Sequence, residues 1–271
     1  MENSIDIRAH FGLHLTPFTR EFPISKRYKH PQYDEQVKAL YQTVVDRMSG
    51  AIITSAGRGK TVVVRTLVDI LPEARFRTHY IKVTGLSKRD MCREIARVVG
   101  CQEAGQYNTL VHRIQSHLMA TSQQEGIRPV LIIDEAHELK IQVLSMLRIL
   151  TNFDMDSRLV VSIILCGQTK LGQMLQRDEM EAVSRRLIHV GTLRNLSREE
   201  TRHYVKHRQT MSGNRQDLFD DSARDALFEI GGGNLRATDH LALKSLHIAA
   251  EEGAKVVDST HVVKARERLW P

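Results

Sequence analysis

Five short apolar runs, at residues 51–55, 79–83, 130–133, 160–166 and 187–191, alternate along the chain with longer segments whose apolar residues recur at three- and four-residue spacing. No other feature limits the possible folds so sharply. A pattern that switches repeatedly between short apolar runs and helical periodicity marks successive βα units, which wind into a parallel sheet flanked by helices. The runs are apolar almost without alternation, as strands buried on both faces of such a sheet must be. Helices are expected between them at 61–70, 88–99, 110–119 and 139–150. A further helix should begin at Asp34, because Val37, Leu40, Tyr41, Val44 and Val45 then share one face. The first 35 residues contain Pro17, Pro23 and Pro31, half of the six prolines, and read as an extended lead-in rather than a helix.

Past Thr192 the rhythm changes. Ser197-Arg198-Glu199-Glu200 has the form of a capping box, in which the serine side chain satisfies an orphan backbone N–H and the glutamate reciprocates. Helical periodicity continues through 222–230, 235–250 and a last helix after Asp258. The chain therefore divides into a lead-in at 1–35, an α/β domain with a five-stranded parallel sheet at 36–194, and a small helical domain at 195–271. With 41% hydrophobic and 26% charged residues, its composition is that of a globular protein. The longest apolar run, 159–167, is far short of the ~20 residues needed to cross a bilayer. Glu2 and Asp6 precede any apolar stretch, which is not the pattern of a signal peptide, so a cytoplasmic protein with no membrane partner is expected. Cys92, Cys101 and Cys166 are odd in number and lack metal-ligand spacing, which implies reduced thiols. An excess of 39 Lys+Arg over 32 Asp+Glu gives a formal charge of +7, compatible with nucleic acid or a membrane surface without choosing between them.

The first apolar run leads into Thr54-Ser55-Ala56-Gly57-Arg58-Gly59-Lys60-Thr61 at the expected start of a helix. That is the setting of a phosphate-binding loop. Its glycines permit unusual dihedrals and close approach, backbone N–H groups face the phosphates, Lys60 reaches the β/γ-phosphates and the Thr61 hydroxyl ligates Mg²⁺. Thr54 stands where the pattern has its leading glycine. That glycine serves the entry turn, whereas Gly57, Gly59, Lys60 and Thr61 retain the parts nearest the phosphates. Val130-Leu131-Ile132-Ile133-Asp134-Glu135 is an apolar strand ending in two carboxylates, at the strand end where α/β sheets bind ligands. Asp134 suits the Mg²⁺ hydration shell, and Glu135 suits a base that orients or deprotonates the water attacking the γ-phosphate. ATP and Mg²⁺ are thus the expected cofactors, and the histidines, His137 included, show no ligand spacing for another metal.

Three further positions fit the same chemistry. Gln168 follows the run 160–166 and would reach the rim shared by parallel strands, to bond the γ-phosphate or the lytic water. Arg185 and Arg186 close a polar helix before the last strand, where one of them can project into a neighbouring subunit's site and stabilise phosphoryl charge. Arg236 follows Gly231-Gly232-Gly233-Asn234, a flexible hinge that would let a cation close on the nucleotide.

These motifs, in this order and spacing, resemble the AAA+ ATPases, and more narrowly the group containing ExeA-like proteins and the transposition helper ATPases related to TnsC, TniB and MuB. Phe11-Gly12-Leu13-His14-Leu15-Thr16-Pro17-Phe18, followed by Tyr28 and Pro31, is similar to the N-terminal segment that lies against the adenine pocket in ExeA-type proteins. Leu165-Cys166-Gly167-Gln168 resembles their sensor-1 strand, Arg185-Arg186-Leu187 their arginine-finger segment and Leu196-Ser197-Arg198-Glu199-Glu200-Thr201 the start of their lid. Gly232-Gly233-Asn234-Leu235-Arg236 resembles their sensor-2 segment, with Asn234 where proline is common. The resemblance implies a P-loop AAA+ core, a helical lid and an ATP-dependent homo-oligomer, ring or helical filament, with nucleotide at subunit interfaces.

Within that group, ExeA-type secretion proteins carry a membrane anchor and a further domain after the ATPase, whereas transposition helpers are stand-alone ATPases of about this size. The expectation is therefore a regulator of DNA transposition that assembles on duplex DNA with ATP and recruits or activates a transposase, with a target-selection protein as a further possible partner. The resemblance implies DNA contacts at Lys88 and Arg89, in the turn after the second strand, and at Asn108 and Thr109. Such groups grip phosphates without reading bases. Ser87 and Asn108 equally suit helix caps, but two adjacent cations at a helix start oppose the macrodipole and ask for another reason. A secretion-associated ATPase, a helicase or clamp loader, and an ATP-binding scaffold are the alternatives. Asp134-Glu135-Ala136-His137 spells a helicase motif, yet such enzymes need a second α/β motor that the helical tail cannot supply.

Overall fold

The computed structural model describes residues 6–124, 126–151, 153, 158–213 and 216–269. The first five residues of the expected lead-in and residues 214, 215, 270 and 271 of the expected helical domain lie outside them. The strands are β1 (Ser49–Ile53), β2 (Phe76–Lys82), β3 (Arg128–Asp134), β4 (Ser162–Gly167) and β5 (Leu187–Gly191). Twelve α-helices are described: α1 (Ile7–Phe11), α2 (Pro31–Val45), α3 (Lys60–Ile70), α4 (Lys88–Val99), α5 (Tyr107–Gln124), α6 (Ile141–Leu150), α7 (Thr169–Leu175), α8 (Glu181–Ser184), α9 (Arg198–Met211), α10 (Asp221–Gly231), α11 (Leu235–Glu251) and α12 (Ser259–Leu269). The chain forms two compact units.

One unit, residues 31–56 and 63–193, is built on an all-parallel five-stranded sheet in the order β2-β3-β4-β1-β5. Central strands β1 and β4 are buried along their whole length and β3 at its five inner positions, as near-continuous apolar strands require. The edge strands differ from the expectation of uniform burial. β2 and β5 alternate, with Tyr80, Lys82, Ile188 and Val190 exposed, because each has only one neighbouring strand and incomplete helical cover. On one face Ala51, Leu131, Ile133 and Leu165 pack with Met91, Ile95, Leu110, Ile114, Leu144 and Leu171, all nearly fully buried.

β1 starts two residues before the expected run and stops at Ile53, leaving Thr54 and Ser55 outside it. Its start is hidden in the sequence because Ser49 and Gly50 are not apolar. The Ser49 hydroxyl accepts the Ile163 N–H at 3.0 Å, and Gly50 lets α2 and β5 approach so closely that an added Cβ would sit 3.2–3.3 Å from His189, Leu40 and Thr43. α5 is longer than its apolar stripe, since its polar first and last turns carry no hydrophobic signal.

The other unit comprises residues 1–30, 57–62 and 194–271. Its lead-in is not wholly extended. Asp6 caps α1 by accepting the Arg8 N–H at 2.9 Å, Gly12 ends it in the left-handed region, and a 3-10 turn follows at Ile24–Lys26. Pro31 then opens α2 as its first residue, a position that needs no N–H donor, so the lead-in ends at His30 instead of residue 35. The lead-in is tied to α9–α12 by its aromatics. Phe18 meets Phe219 edge to face at 5.8 Å, and the buried Arg208 guanidinium lies 3.8 Å from the Phe22 ring centre while donating to the Thr19 carbonyl. No described helix is long and apolar enough to cross a membrane.

The expected capping box forms at the start of α9. Its Glu200 carboxylate also accepts two 2.6 Å bonds from Arg194 and lies 2.9 Å from His30 Nε2. Arg194 above all, with the Ser197 N–H and His30, holds this carboxyl far below its ordinary range against the opposing effect of burial. A depressed folded-state pKa means that the associated stability is present above the unfolded value near 4.3 and is lost as pH falls through the folded value. Glu200→Gln should therefore lower the melting temperature of the chain by several degrees near pH 7, with a gap to wild type that shrinks steadily as pH falls below about 4 in calorimetry.

Candidate functional site

Parallel register brings three strand ends to one rim of the sheet. Ile53 pairs with Gly167 and Ile133 with Leu165, so Thr54, Asp134 and Gln168 each lie just at or beyond the carboxyl ends of adjacent strands β1, β3 and β4. Thr54 is buried and doubly anchored. Its N–H donates to the Gly167 carbonyl at 3.1 Å, and its hydroxyl donates to the Leu193 carbonyl at 2.9 Å. Among the described residues only Phe18, Arg47 and Glu135 have positive φ without being glycine, so Thr54 lies in backbone space open to any side chain. The absent leading glycine is thus replaced by a residue that clamps the loop root to β4 and to the chain leaving β5.

The loop then turns through Gly57 at φ 79° and Gly59 at φ 98° into α3, with Lys60 as the first residue of that helix and Thr61 the second. Gly57 is required twice over, by its left-handed backbone and because an added Cβ would come within 2.2 Å of the Asn234 side chain. Its carbonyl accepts the Arg236 N–H at 3.2 Å, Arg58 Nε donates to Asn195 Oδ1 at 2.9 Å, and Asn195 in turn donates to the Gly232 carbonyl. Asn234 caps α11 by accepting from the N–H groups of Arg236 and Ala237, leaving the Arg236 side chain exposed.

Asp134 is held at both oxygens. Oδ1 accepts the Glu135 N–H at 2.9 Å, and Oδ2 accepts the Tyr80 hydroxyl at 2.8 Å. Glu135 follows in the left-handed region at φ 56° and ψ 32°, an uncommon conformation of the kind found at functional sites. The buried His137 accepts the Gln168 N–H on Nδ1 at 3.3 Å, with Glu135 Oε2 3.4 Å from the same nitrogen, and its Nε2 lies 3.1 Å from Glu138. Gln168 sits at the N-terminal cap position of α7, yet its side chain does not cap that helix. Thr61 and Asp134 are hard oxygen donors, the set that Mg²⁺ takes, and no cluster of three or more His, Cys, Asp or Glu suited to a metal occurs among the described residues.

Arg185 and Arg186, adjacent in sequence, differ in environment. Arg185 is 78% exposed and pairs with Glu181, while Arg186 is part-buried, donates to the Ala182 carbonyl at 3.0 Å and lines a shallow, open pocket with Ser49, Leu147 and Leu187. Lys88 and Arg89 occupy the first turn of α4, where Ser87 is the cap as expected. Asn108 is not a cap: α5 already begins at Tyr107. Arg89 donates to the Gly105 carbonyl at 3.2 Å, and a Cβ added at Gly105 would meet Thr109 at 3.4 Å, so the starts of α4 and α5 form one surface on which Lys88, Arg89, Asn108 and Thr109 are all exposed. Tyr80 and Asn195 had no signal in the sequence. Each makes a side-chain contact across the fold, and neither belongs to a spaced motif.

Comparison with known proteins agrees with this geometry. Residues 44–175 match a family model described as an AAA domain. General secretion pathway protein A of Aeromonas hydrophila is 29% identical over 248 residues, which cover 90% of this chain and 45% of that protein, so the chain spans less than half of its relative's length. Among solved structures, Cdc6p from Pyrobaculum aerophilum aligns over 97% of this chain and 71% of its own, with a TM-score of 0.74 at 15% identity. The Aeropyrum pernix ORC2 protein gives a TM-score of 0.73 at 14% identity, over 93% and 70% of the two chains. The RuvB Holliday junction branch migration motor of Thermotoga maritima gives 0.59 at 14% identity, over 89% and 70%.

Replacing Thr54 by valine keeps the shape of the side chain but leaves the buried Leu193 carbonyl without its donor. Thr54→Val should therefore lose about 1–3 kcal/mol of stability in urea unfolding with an unchanged m value. Residues 44–175 are similar to an AAA domain, and the chain shares its fold with Cdc6, ORC and RuvB proteins.

Proposed function

We propose that this protein is an ATP-hydrolysing AAA+ regulator of DNA transposition that assembles as a homo-oligomeric ring or filament on duplex DNA and recruits or activates a transposase. The observation that carries the nucleotide reading is the meeting of the glycine loop root, the Asp134-Glu135 pair and Gln168 at the carboxyl ends of three parallel strands. The amides of 57–61 and Lys60 take phosphate charge at the start of α3, an 11-residue helix whose dipole favours an anion there. Thr61 and Asp134 would be the ligands for Mg²⁺, which would neutralise charge on the phosphates. Glu135 accepts a proton from the attacking water and Gln168 orients that water. Arg185, the exposed member of its pair, is the residue able to leave Glu181 for a neighbouring subunit's phosphates. Arg236, whose N–H is bonded to the Gly57 carbonyl, would add a cation to the same charge. The lead-in supplies the adenine pocket through Tyr28, which packs 5.5 Å from both Tyr204 and His207.

Duplex DNA suits the exposed surface of Lys88, Arg89, Asn108 and Thr109. Structures of similar fold include the Aeropyrum pernix ORC1 protein in complex with DNA and Drosophila ORC bound to DNA. A secretion-associated ATPase is a second reading with its own support, because the similarity to General secretion pathway protein A runs over 90% of this chain. DNA binding separates the two.

Lys60→Ala should abolish binding of a fluorescent ATP analogue, and retained affinity would remove the phosphate-loop assignment. Glu135→Gln should bind that analogue normally yet hydrolyse ATP at least about 100-fold more slowly in a phosphate-release assay. With ATP present, the Lys88→Ala/Arg89→Ala double variant should bind duplexes of any sequence more weakly. The slope of log affinity against log salt should flatten by about 2. An unchanged slope would take DNA out of the reading and favour the secretion role.

A further inference from the structure

β2 is an edge strand whose residues alternate, with His79 and Ile81 turned into the core and Tyr80 and Lys82 on the opposite, exposed side. A large aromatic at an exposed edge position has no packing reason to be there, and Tyr80 is 52% exposed. Its register supplies one. Tyr80 pairs directly with Ile132, which makes Asp134 its diagonal neighbour on β3, a separation that an aromatic side chain can bridge. The phenol closes the gap, donating to Asp134 Oδ2 at 2.8 Å. The other carboxylate oxygen is occupied by the Glu135 N–H, so the plane of the Asp134 carboxylate is set by two donors on opposite oxygens. A carboxylate oxygen that accepts one hydrogen bond has the capacity to take a cation or its water shell as well.

We infer that Tyr80 is a positioning residue for the metal site, a hydrogen-bond donor that fixes the Asp134 carboxylate in the orientation from which it takes Mg²⁺ with bound nucleotide. The inference rests on Asp134 being the metal-side carboxylate of the proposed ATPase. Partners of this kind orient ligands and tune the metal, and their loss typically costs 10–100-fold in metal affinity. A half-exposed bond of this type adds little to global stability. Its effect is on orientation.

The test is Tyr80→Phe in the full chain, which keeps the ring and removes only the donor. Mn²⁺ binding is followed by electron paramagnetic resonance in the presence of a non-hydrolysable ATP analogue, and nucleotide affinity is measured separately in EDTA. Metal affinity should fall about 10-fold or more, with metal-free nucleotide affinity unchanged. In the Asp134→Asn background, Tyr80→Phe should have no further effect on metal binding, because the residue acts through that carboxylate. Equal Mn²⁺ affinity in wild type and Tyr80→Phe would overturn the inference, as would an undiminished effect in the Asp134→Asn background. A wild-type chain that binds nucleotide but no Mn²⁺ would overturn it too. Failure of the wild-type chain to bind nucleotide in EDTA or with metal would instead overturn the ATPase reading on which it rests.

Discussion

Parallel pairing of β3, β4 and β1 is the constraint on which the rest of the α/β unit depends. Because neighbouring strands run the same way, their carboxyl ends open on one rim, and whatever chemistry each strand carries at its end is delivered there. Complete burial of the inner positions of these strands makes a slip of register costly, since a one-residue shift would turn buried side chains to the opposite face. The Thr54 anchors then transmit that rigidity to the loop. A hydroxyl bonded to the Leu193 carbonyl and an N–H bonded to Gly167 hold the loop root to both neighbours of β1. The chain from Ser55 onward therefore starts from a defined point.

The turn after β3 shows how two adjacent carboxylates are given different surroundings. Asp134 is engaged by a backbone N–H and a phenol, whereas Glu135 enters the left-handed region, which costs on the order of 1–3 kcal/mol for a residue with a Cβ. The buried His137 joins this turn to the end of β4 through the Gln168 N–H. The Glu135 carboxylate lies 3.4 Å from the same His137 nitrogen, so the two strand ends are coupled through this imidazole.

In the helical unit a buried charge replaces part of the apolar core. Arg208 is packed against Phe22 and bonded to Thr19, and the part-buried Asp239, which accepts the Tyr204 hydroxyl at 2.6 Å, is raised to about 6 by desolvation. Such groups tolerate few alternative arrangements, since each would be left desolvated without a partner elsewhere. The lead-in is in this way an integral layer of the helical unit, although its prolines suggest a loose tether.

Much of this was legible in the sequence, and the exceptions have a common cause. The five strands, the α/β character, the capping box of Ser197 and Glu200 and the phosphate-loop and Asp-Glu motifs all follow from local periodicity or fixed spacing, properties that neighbouring residues impose on one another. Strand β1 was misplaced by two residues and the lead-in misjudged because Ser49, Gly50 and Pro31 owe their roles to partners distant in sequence or to a helix start. The sequence alone determined which chemistry each strand end carries. Only the tertiary structure decided that Thr54 can stand for glycine, that Arg185 rather than Arg186 is exposed, and that Tyr80 reaches Asp134, because each depends on a contact across strands or on local burial that no spacing encodes.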